Sequence, residues 1–485
     1  MTELGSQVVV FARRYVDSIT LLALAAAMSE CEGVERSVAV LATPGGLATL
    51  AADHFVVPSG TGQNDLLLGI SGTAAGRMSA IARAECELAP PPSVNGAVVT
   101  QSPRSLDQWA RRGGSADVAI VSVPGRFAAS VARRALHQGM HCLIFSDNVS
   151  VSDEIELKVL AARKGLLAMG PDCGTAILDG IPLGFANAVA EGPIAVVGAS
   201  GTGMQEVTTL IDRLGSGVSQ AIGCGGRDLS DEVGGRTMLA ALALLESDDR
   251  TSCIVLIAKQ PGPSVMASLS AATLRLVAQG KSVVTAFTGL SQQPDFAHAT
   301  MAASLADAAV AAVHATLGDA ATPLPTMPVA MPSLASARRR IHGAFCGGTF
   351  AAECRAGLSG LPDVVVIDFG DDQYTVSRPH PMIDPTLRDR SVAEALADVS
   401  NAAIIFDVVL GQGAADDPIE QLLPILTAAR HHDEGPIVVT NVCGTDRDRQ
   451  DRNAVVRRLQ EAGVLVAPSN AAAVRYIASV IGGRP

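Results

Sequence analysis

Aromatic side chains are scarce: the 485 residues include one Trp, three Tyr and 11 Phe. Stacking on nucleobases is therefore not a binding mode for this chain. Charge is also thin, at 17% of residues, and the formal net charge of −12 opposes nucleic acid and anionic membrane surfaces as partners. No apolar run reaches the roughly eighteen residues of a membrane span. The start, Met1-Thr2-Glu3-Leu4, has neither a basic n-region nor an apolar h-region, so secretion is not expected. The nine cysteines are irregularly spaced and never form Cys-x-x-Cys, a usage that fits reduced thiols in the cytoplasm. A P-loop and a His/Cys/Asp set at metal-ligand spacing are both missing, so no metal is expected.

What remains is a hydrophobic content of 48% and a length that suggests about three domains with large cores. Residues 1–90 read as strand Gln7–Arg13, helix Asp17–Cys31, strand Ser37–Leu41, a Gly-bearing helix, strand Leu66–Ile70 and helix Ala74–Leu88. That order predicts a ferredoxin- or ACT-like α+β unit. Pro90-Pro91-Pro92-Ser93 reads as a linker. Residues 91–190 begin at Val98-Val99 and then alternate strands Val118–Val123, Cys142–Phe145 and Leu166–Met169 with helices, a parallel Rossmann-like pattern. It lacks Gly-x-Gly-x-x-Gly, so a dinucleotide is not indicated.

Residues 191–321 and 337–485 resemble each other. Gly-Thr-x-x-x-Glu occurs at Gly201-Thr202 with Glu206, and again at Gly348-Thr349 with Glu353. Second, third and fourth apolar runs follow in the same order in both, and each closes with an Ala-rich helix. Recurrence of that many elements predicts a tandem α/β duplication, joined by the Pro- and Ser-rich span Thr322–Ser336.

The strongest single signal is Ile194-Ala195-Val196-Val197 running into Gly198-Ala199-Ser200-Gly201-Thr202-Gly203. A β-branched strand, a small-residue turn and a new helix place unpaired N–H groups and a positive dipole end at one spot, where an anion binds. Ser200, Gly201 and Thr202 are the expected cradle, and Gly348 with Thr349 a second one from the other copy. Gly225-Gly226-Arg227-Asp228 adds a turn whose Arg can fork onto phosphate oxygens. Ser377-Arg378-Pro379-His380-Pro381-Met382-Ile383-Asp384-Pro385 is a proline-stiffened loop, which makes Arg378, His380 and Asp384 candidates for substrate clamp and proton transfer. Cys173 is a weaker nucleophile candidate, since no base lies near it in sequence.

The phrases Met169-Gly170-Pro171-Asp172-Cys173-Gly174-Thr175, Gly198-Ala199-Ser200-Gly201-Thr202-Gly203-Met204-Gln205-Glu206, Gly225-Gly226-Arg227-Asp228-Leu229-Ser230 and Arg378-Pro379-His380-Pro381-Met382-Ile383-Asp384-Pro385 resemble the FdrA family. Three of them are also similar to the α subunit of succinyl-CoA synthetase. The resemblance implies a CoA-binding-type Rossmann domain followed by two flavodoxin-like ligase domains, the second akin to the carboxyl-terminal domain of the synthetase β subunit. It implies a phosphate cradle at Ser200, Gly201 and Thr202, with Gly411 and Gly413 contributing from the other copy. It departs from the synthetase where that enzyme carries its phosphohistidine in Gly-His-Ala-Gly-Ala: the nearest match, Ala297-His298-Ala299-Thr300-Met301, keeps His-Ala and loses the glycines. The Gly-rich CoA loop and the ATP-grasp half have no counterpart. By resemblance, the expected function is a cytoplasmic, oligomeric subunit that works with other enzyme subunits in carbamoyl or acyl transfer from an acyl or carbamoyl phosphate. The alternatives are an acyl-CoA synthetase, with CoA as the one cofactor left open, and a non-catalytic metabolite-binding protein.

Overall fold

A computed structural model describes residues 4–482 apart from 15, 17, 63–64, 90–102, 104, 288–295, 297, 328–337, 376–377 and 430–434. The linker Pro90–Ser93, the pair Val98-Val99, most of the linker Thr322–Ser336, Ala297 and Ser377 lie outside the described residues. The chain divides into two compact units: Met1–Gly114 with Asp372–Pro379, and Ser115–Asp371 with His380–Pro485.

In the first unit the order is β1 (Leu4–Phe11), α1 (Ser18–Ser29), β2 (Val34–Leu41), α2 (Pro44–Ala52), β3 (Leu66–Thr73), α3 (Ala74–Leu88) and the short α4 (Leu106–Arg111). Strand β3 lies between β1 and β2 and is antiparallel to both. β1-α1-β2 is thus a split βαβ, the ferredoxin-like arrangement, with α2 inserted before β3. Alternation along β3 builds a core on each face. Leu66, Leu68 and Ile70 pack with Leu24 and Met28 of α1 and with Ala80 and Ala84 of α3, whereas Leu67 packs with Leu50 of α2 and with Phe55. Thr43 and Thr73 cap α2 and α3 by accepting the N–H of Gly46 and Gly76.

The second unit opens with β4 (Val118–Val121), α5 (Gly125–His137), β5 (His141–Ile144), α6 (Val151–Arg163) and β6 (Ala168–Met169), whose strands form a parallel sheet in the order β4-β5-β6. A hairpin that local periodicity does not announce follows, β7 (Thr175–Leu178) and β8 (Ile181–Gly184). It joins the next sheet, antiparallel to β10, so that sheet draws two strands from before residue 191.

The first copy is β9 (Ile194–Gly198), α7 (Gly201–Arg213), β10 (Val218–Gly223), α8 (Arg236–Glu246), β11 (Cys253–Ala258), α9 (Pro263–Ala278), β12 (Ser282–Phe287), β13 (Thr300–Met301) and α10 (Leu305–Leu317). The second is β14 (Arg340–Phe345), α11 (Gly348–Gly357), β15 (Val364–Asp368), α12 (Asp372–Thr375), α13 (Thr386–Ala397), β16 (Asn401–Val409), α14 (Leu422–Ala429), β17 (Ile437–Cys443), α15 (Arg452–Glu461), β18 (Leu465–Ala467) and α16 (Asn470–Gly482). Helix α12 belongs to the segment that groups with the first unit.

Both copies have parallel strands in one spatial order, β10-β9-β11-β12-β13 and β15-β14-β16-β17-β18. Written per copy this is 2-1-3-4-5, the flavodoxin-like order. Strands β9, β11 and β16 are buried along their whole length, which is why they read as unbroken apolar runs rather than alternating ones.

The repeated Gly-Thr-x-x-x-Glu explains how the copies join. Glu206 of α7 accepts the backbone N–H of Asn470, the first residue of α16, at 3.0 Å. Glu353 of α11 accepts the N–H of Leu305, the first residue of α10, at 3.3 Å and the Asn470 side-chain amide at 2.8 Å. Each glutamate therefore closes a helix end in the opposite copy. Helix α7 also crosses the carboxyl ends of the second copy's strands. Thr202 packs on Gly347 after β14, Gln205 donates to the Leu410 carbonyl after β16, Thr209 meets Cys443 at the end of β17, and Arg213 donates to the Pro468 carbonyl after β18.

Burial pushes the Glu353 carboxyl up from 4.5 to about 7, with the neighbouring Glu206 adding to the effect. Between those values the folded chain keeps a proton that the unfolded chain has released, so stability falls as pH rises across that window. Melting temperature measured from pH 5 to 7.5 should decline for the natural chain and stay markedly flatter for Glu353→Gln. Equal slopes would show that Glu353 does not govern this interface.

Candidate active site

The amino ends of α7 and α11 meet, as the duplication predicts. Ser200 caps α7 by accepting the Gly203 N–H at 3.0 Å, and its hydroxyl also hydrogen-bonds the Thr349 hydroxyl of α11. The two ends are not equivalent. Gly347 has no side chain with which to cap α11, and Asp407, on β16 next door, accepts the N–H of Cys346 and of Gly347, each at 2.8 Å. Asp368 at the end of β15 flanks Gly348. The α11 end is therefore already faced by two carboxylates. Burial raises Asp407 to about 6, against the pull of the two N–H groups and of Arg388. Arg388, fully buried, is held by Asp389 and by the carbonyls of Asp407 and Pro418. Around α7, by contrast, Gly201 is exposed.

In flavodoxin-like sheets ligands bind where the strand order reverses, at the carboxyl ends. In the first copy that point lies between β9 and β11, and a cavity of about 400 Å³ opens there. Ala199 and Ala258 form its floor at the strand ends, Val151, Leu229 and Val233 its apolar walls, and Arg227 and Lys259 are its cations. Lys259 also acts electrostatically on Asp368 of the second copy, whose carboxyl burial nevertheless lifts above its usual range. In the second copy the matching point carries Asp407 and is crossed by α7.

Arg227 and Asp228 form a bridge rather than a free clamp. Arg227 donates to the Val149 carbonyl at 2.9 Å and pairs with Glu154 at 2.9 Å, while part of its side chain faces the cavity. Asp228, fully buried, accepts from Lys158 at 2.7 Å and from the N–H groups of Thr237 and Met238 that begin α8. Lys158 in turn donates to Glu154 at 2.8 Å. Gly225, at positive φ, lets this loop lie against Pro171, and Gly226 is exposed beside Asp172.

The remaining candidates separate. His380 sits against Phe185 with ring centroids 5.5 Å apart and beside Gly370. Its Nδ1 accepts the Met382 N–H at 3.3 Å, so Nε2 carries the proton, and burial holds the ring down at about 4. At neutral pH it is a fixed hydrogen-bond donor and not a proton acceptor. Asp384 accepts the N–H and hydroxyl of Thr386 and so caps α13. Arg378 is exposed and lies in the segment that groups with the first unit.

Gly411 and Gly413 let their loop pack on residues 184–186, where Gln412 donates to the Ala186 carbonyl. His298 is tied to Thr273 at 2.7 Å. Cys173 is no nucleophile: burial pushes its thiol up to about 12. Lys259, Asp407 and Thr175 were not singled out by sequence, although Asp407 stands out as a lone acid within Ala402–Val409.

The Glu154–Lys158–Asp228 group yields a direct expectation. Lys158→Met would leave the buried Asp228 without its cation and Glu154 with Arg227 alone, and should cost about 3–5 kcal/mol, a cost that denaturant unfolding would detect. A loss below about 1 kcal/mol would show that the network is not what holds α6 to this loop.

Three family profiles match parts of the chain. The family profile for the AllF heavy metal-associated domain matches residues 1–100, that for the CoA binding domain 189–289, and that for CoA-ligase 344–480. Residues 1–100 do not fit a heavy-metal ion. Their two cysteines are Cys31, which donates to the Ala27 carbonyl, and the exposed Cys86, and no group of three or more potential ligands occurs among the described residues.

Across its length the chain is 34% identical over 505 aligned positions to the uncharacterized protein YahF of Escherichia coli, covering 96% of each. It is 27% identical over 155 residues to succinate–CoA ligase [ADP-forming] subunit alpha 2 of Archaeoglobus fulgidus, covering 31% of this chain and 53% of that one. It is 31% identical over 155 residues to the ADP-forming sulfoacetate-CoA ligase subunit SauD of Bilophila wadsworthia, covering 30% and 51%. The chain thus spans about half the length of these two ligase subunits. Among the described residues no helix is long and apolar enough to cross a membrane. The near full-length match to YahF and the CoA-binding and CoA-ligase profiles together place the chain in the FdrA-like, succinyl-CoA-synthetase-like family.

Proposed function

We propose that this chain is a subunit of an acyl-CoA ligase-like enzyme in which the cavity at the end of α7 holds the phosphate of an acyl phosphate during transfer of its acyl group. The observation that carries the reading is the open strand-order reversal of the first copy, where Ala199, one residue before the Ser200 cap of α7, and Lys259 line one cavity. Unpaired N–H groups at the α7 start would stabilise the charge that develops on the departing phosphate. Lys259 would pair with its oxygens. The apolar walls beside Arg227 and Lys259 fit the alternating apolar and anionic character of CoA, which supplies a thiol to receive the acyl group. His380 would contribute a fixed donor and not a general base at neutral pH. Other enzyme subunits complete the reaction in this reading, because the chain corresponds to only about half of each ligase subunit it matches.

Transfer of a carbamoyl group is the narrower expectation raised by the FdrA resemblance, and the ligase and CoA-binding matches favour the acyl-CoA reading over it. Thermal shift of the full chain with acetyl phosphate, carbamoyl phosphate and CoA separates the two. The acyl-CoA reading predicts a higher melting temperature with CoA and with acetyl phosphate, and a roughly tenfold weaker acetyl phosphate response in Lys259→Ala. A shift with carbamoyl phosphate and none with CoA would replace it by carbamoyl transfer. No shift with any of the three would remove both.

A further inference from the structure

The hydroxyls at the meeting of the two helix ends are unequally committed. Ser200 and Thr349 are bonded to each other, and Ser200 also serves the Gly203 N–H. Thr175, the first residue of β7, is 2% exposed, and its hydroxyl has no hydrogen-bond partner among the described residues. That hydroxyl faces Gly201: a β-carbon there would lie 3.4 Å from Thr175 Oγ1. Gly201 is exposed, begins the 13-residue helix α7, and carries one of its unpaired N–H groups. A buried hydroxyl without a partner costs on the order of 1–3 kcal/mol, so its position beside an anion-binding helix end calls for a partner there.

We infer that Thr175 is a binding residue of this site, its hydroxyl donating to an oxygen of the phosphate group seated on the Gly201 N–H. This rests on the proposed phosphate site and adds a residue that its sequence motif does not contain. Thr175 stands on a strand outside both Gly-Thr-x-x-x-Glu motifs, and its hydroxyl adds to the one hydroxyl proton that the Ser200–Thr349 hydrogen bond leaves over. Glycine at 201 keeps the space between helix and hydroxyl clear, since any side chain there would reach Thr175.

The test compares the full natural chain with Thr175→Val and Thr175→Ser in thermal melts across a titration of inorganic phosphate and of acetyl phosphate. Without ligand, Thr175→Val should melt at or above the natural temperature, because it removes an unpaired buried hydroxyl while keeping its shape. With ligand, its apparent affinity should fall about tenfold, and Thr175→Ser should restore it. A Val variant that responds to phosphate as the natural chain does overturns the inference. So does one that is destabilised before ligand is added, since its hydroxyl would then be a structural partner. A natural chain that responds to neither phosphate nor acetyl phosphate overturns the phosphate site itself, and that outcome is distinct from the other two.

Discussion

The second compact unit depends on a reciprocal exchange of helix caps. Glu206 and Glu353 occupy the same place in their respective motifs, and each reaches across to the amino end of the other copy's last helix. A buried carboxylate is tolerated there because the helix dipole and the orphan N–H groups replace the water it has lost. Removal of either acid would leave the first N–H of α10 or α16 without its acceptor, beside the serine caps Ser304 and Ser469, inside a core that both copies share. The position of α7 follows from this exchange, and with it the fate of each sheet's ligand edge. Helix α7 covers the carboxyl ends of the second copy's strands, and the cavity remains at those of the first.

The duplicated scaffold is therefore symmetric in fold and asymmetric in chemistry. Where the first copy has Ile257 on its third strand, the second has Asp407, which accepts the N–H groups of Cys346 and Gly347 just before α11, a helix with no side-chain cap. A carboxylate stands behind the α11 end, whereas Lys259 lines the cavity at the first copy's strand ends. In the proposed reading the anion-binding role falls to α7, against which Gly347 packs and whose cap Ser200 the Thr349 hydroxyl meets.

Much of this was legible in the sequence, for identifiable reasons. Buried parallel strands such as Ile194–Gly198 and Asn401–Val409 announce themselves as apolar runs, and Gly-Thr-x-x-x-Glu marked the repeat. The local motif could not say that the glutamates act across the copies, since partners 264 and 48 residues away are invisible to it. The hairpin Thr175–Gly184 was missed because its strands are four residues each and gain their stability from β10. Arg227 and Asp384 looked like reagents because Arg, Asp, Gly and Pro also build turns and caps. In the fold they hold Glu154 and Thr386. Lys259 was overlooked because an exposed lysine after a strand carries no motif, and only the strand order places it at the cavity.

In the proposed reading a single phosphate binds at α7 and none at α11. A crystal structure of the full chain grown with acetyl phosphate or inorganic phosphate tests it most directly. The account predicts phosphate density on the Gly201 N–H, within hydrogen-bond distance of Thr175 and near Lys259, and none on Gly348. Density seated on Gly348 between Asp368 and Asp407, or an empty α7 end at saturating ligand, would contradict it.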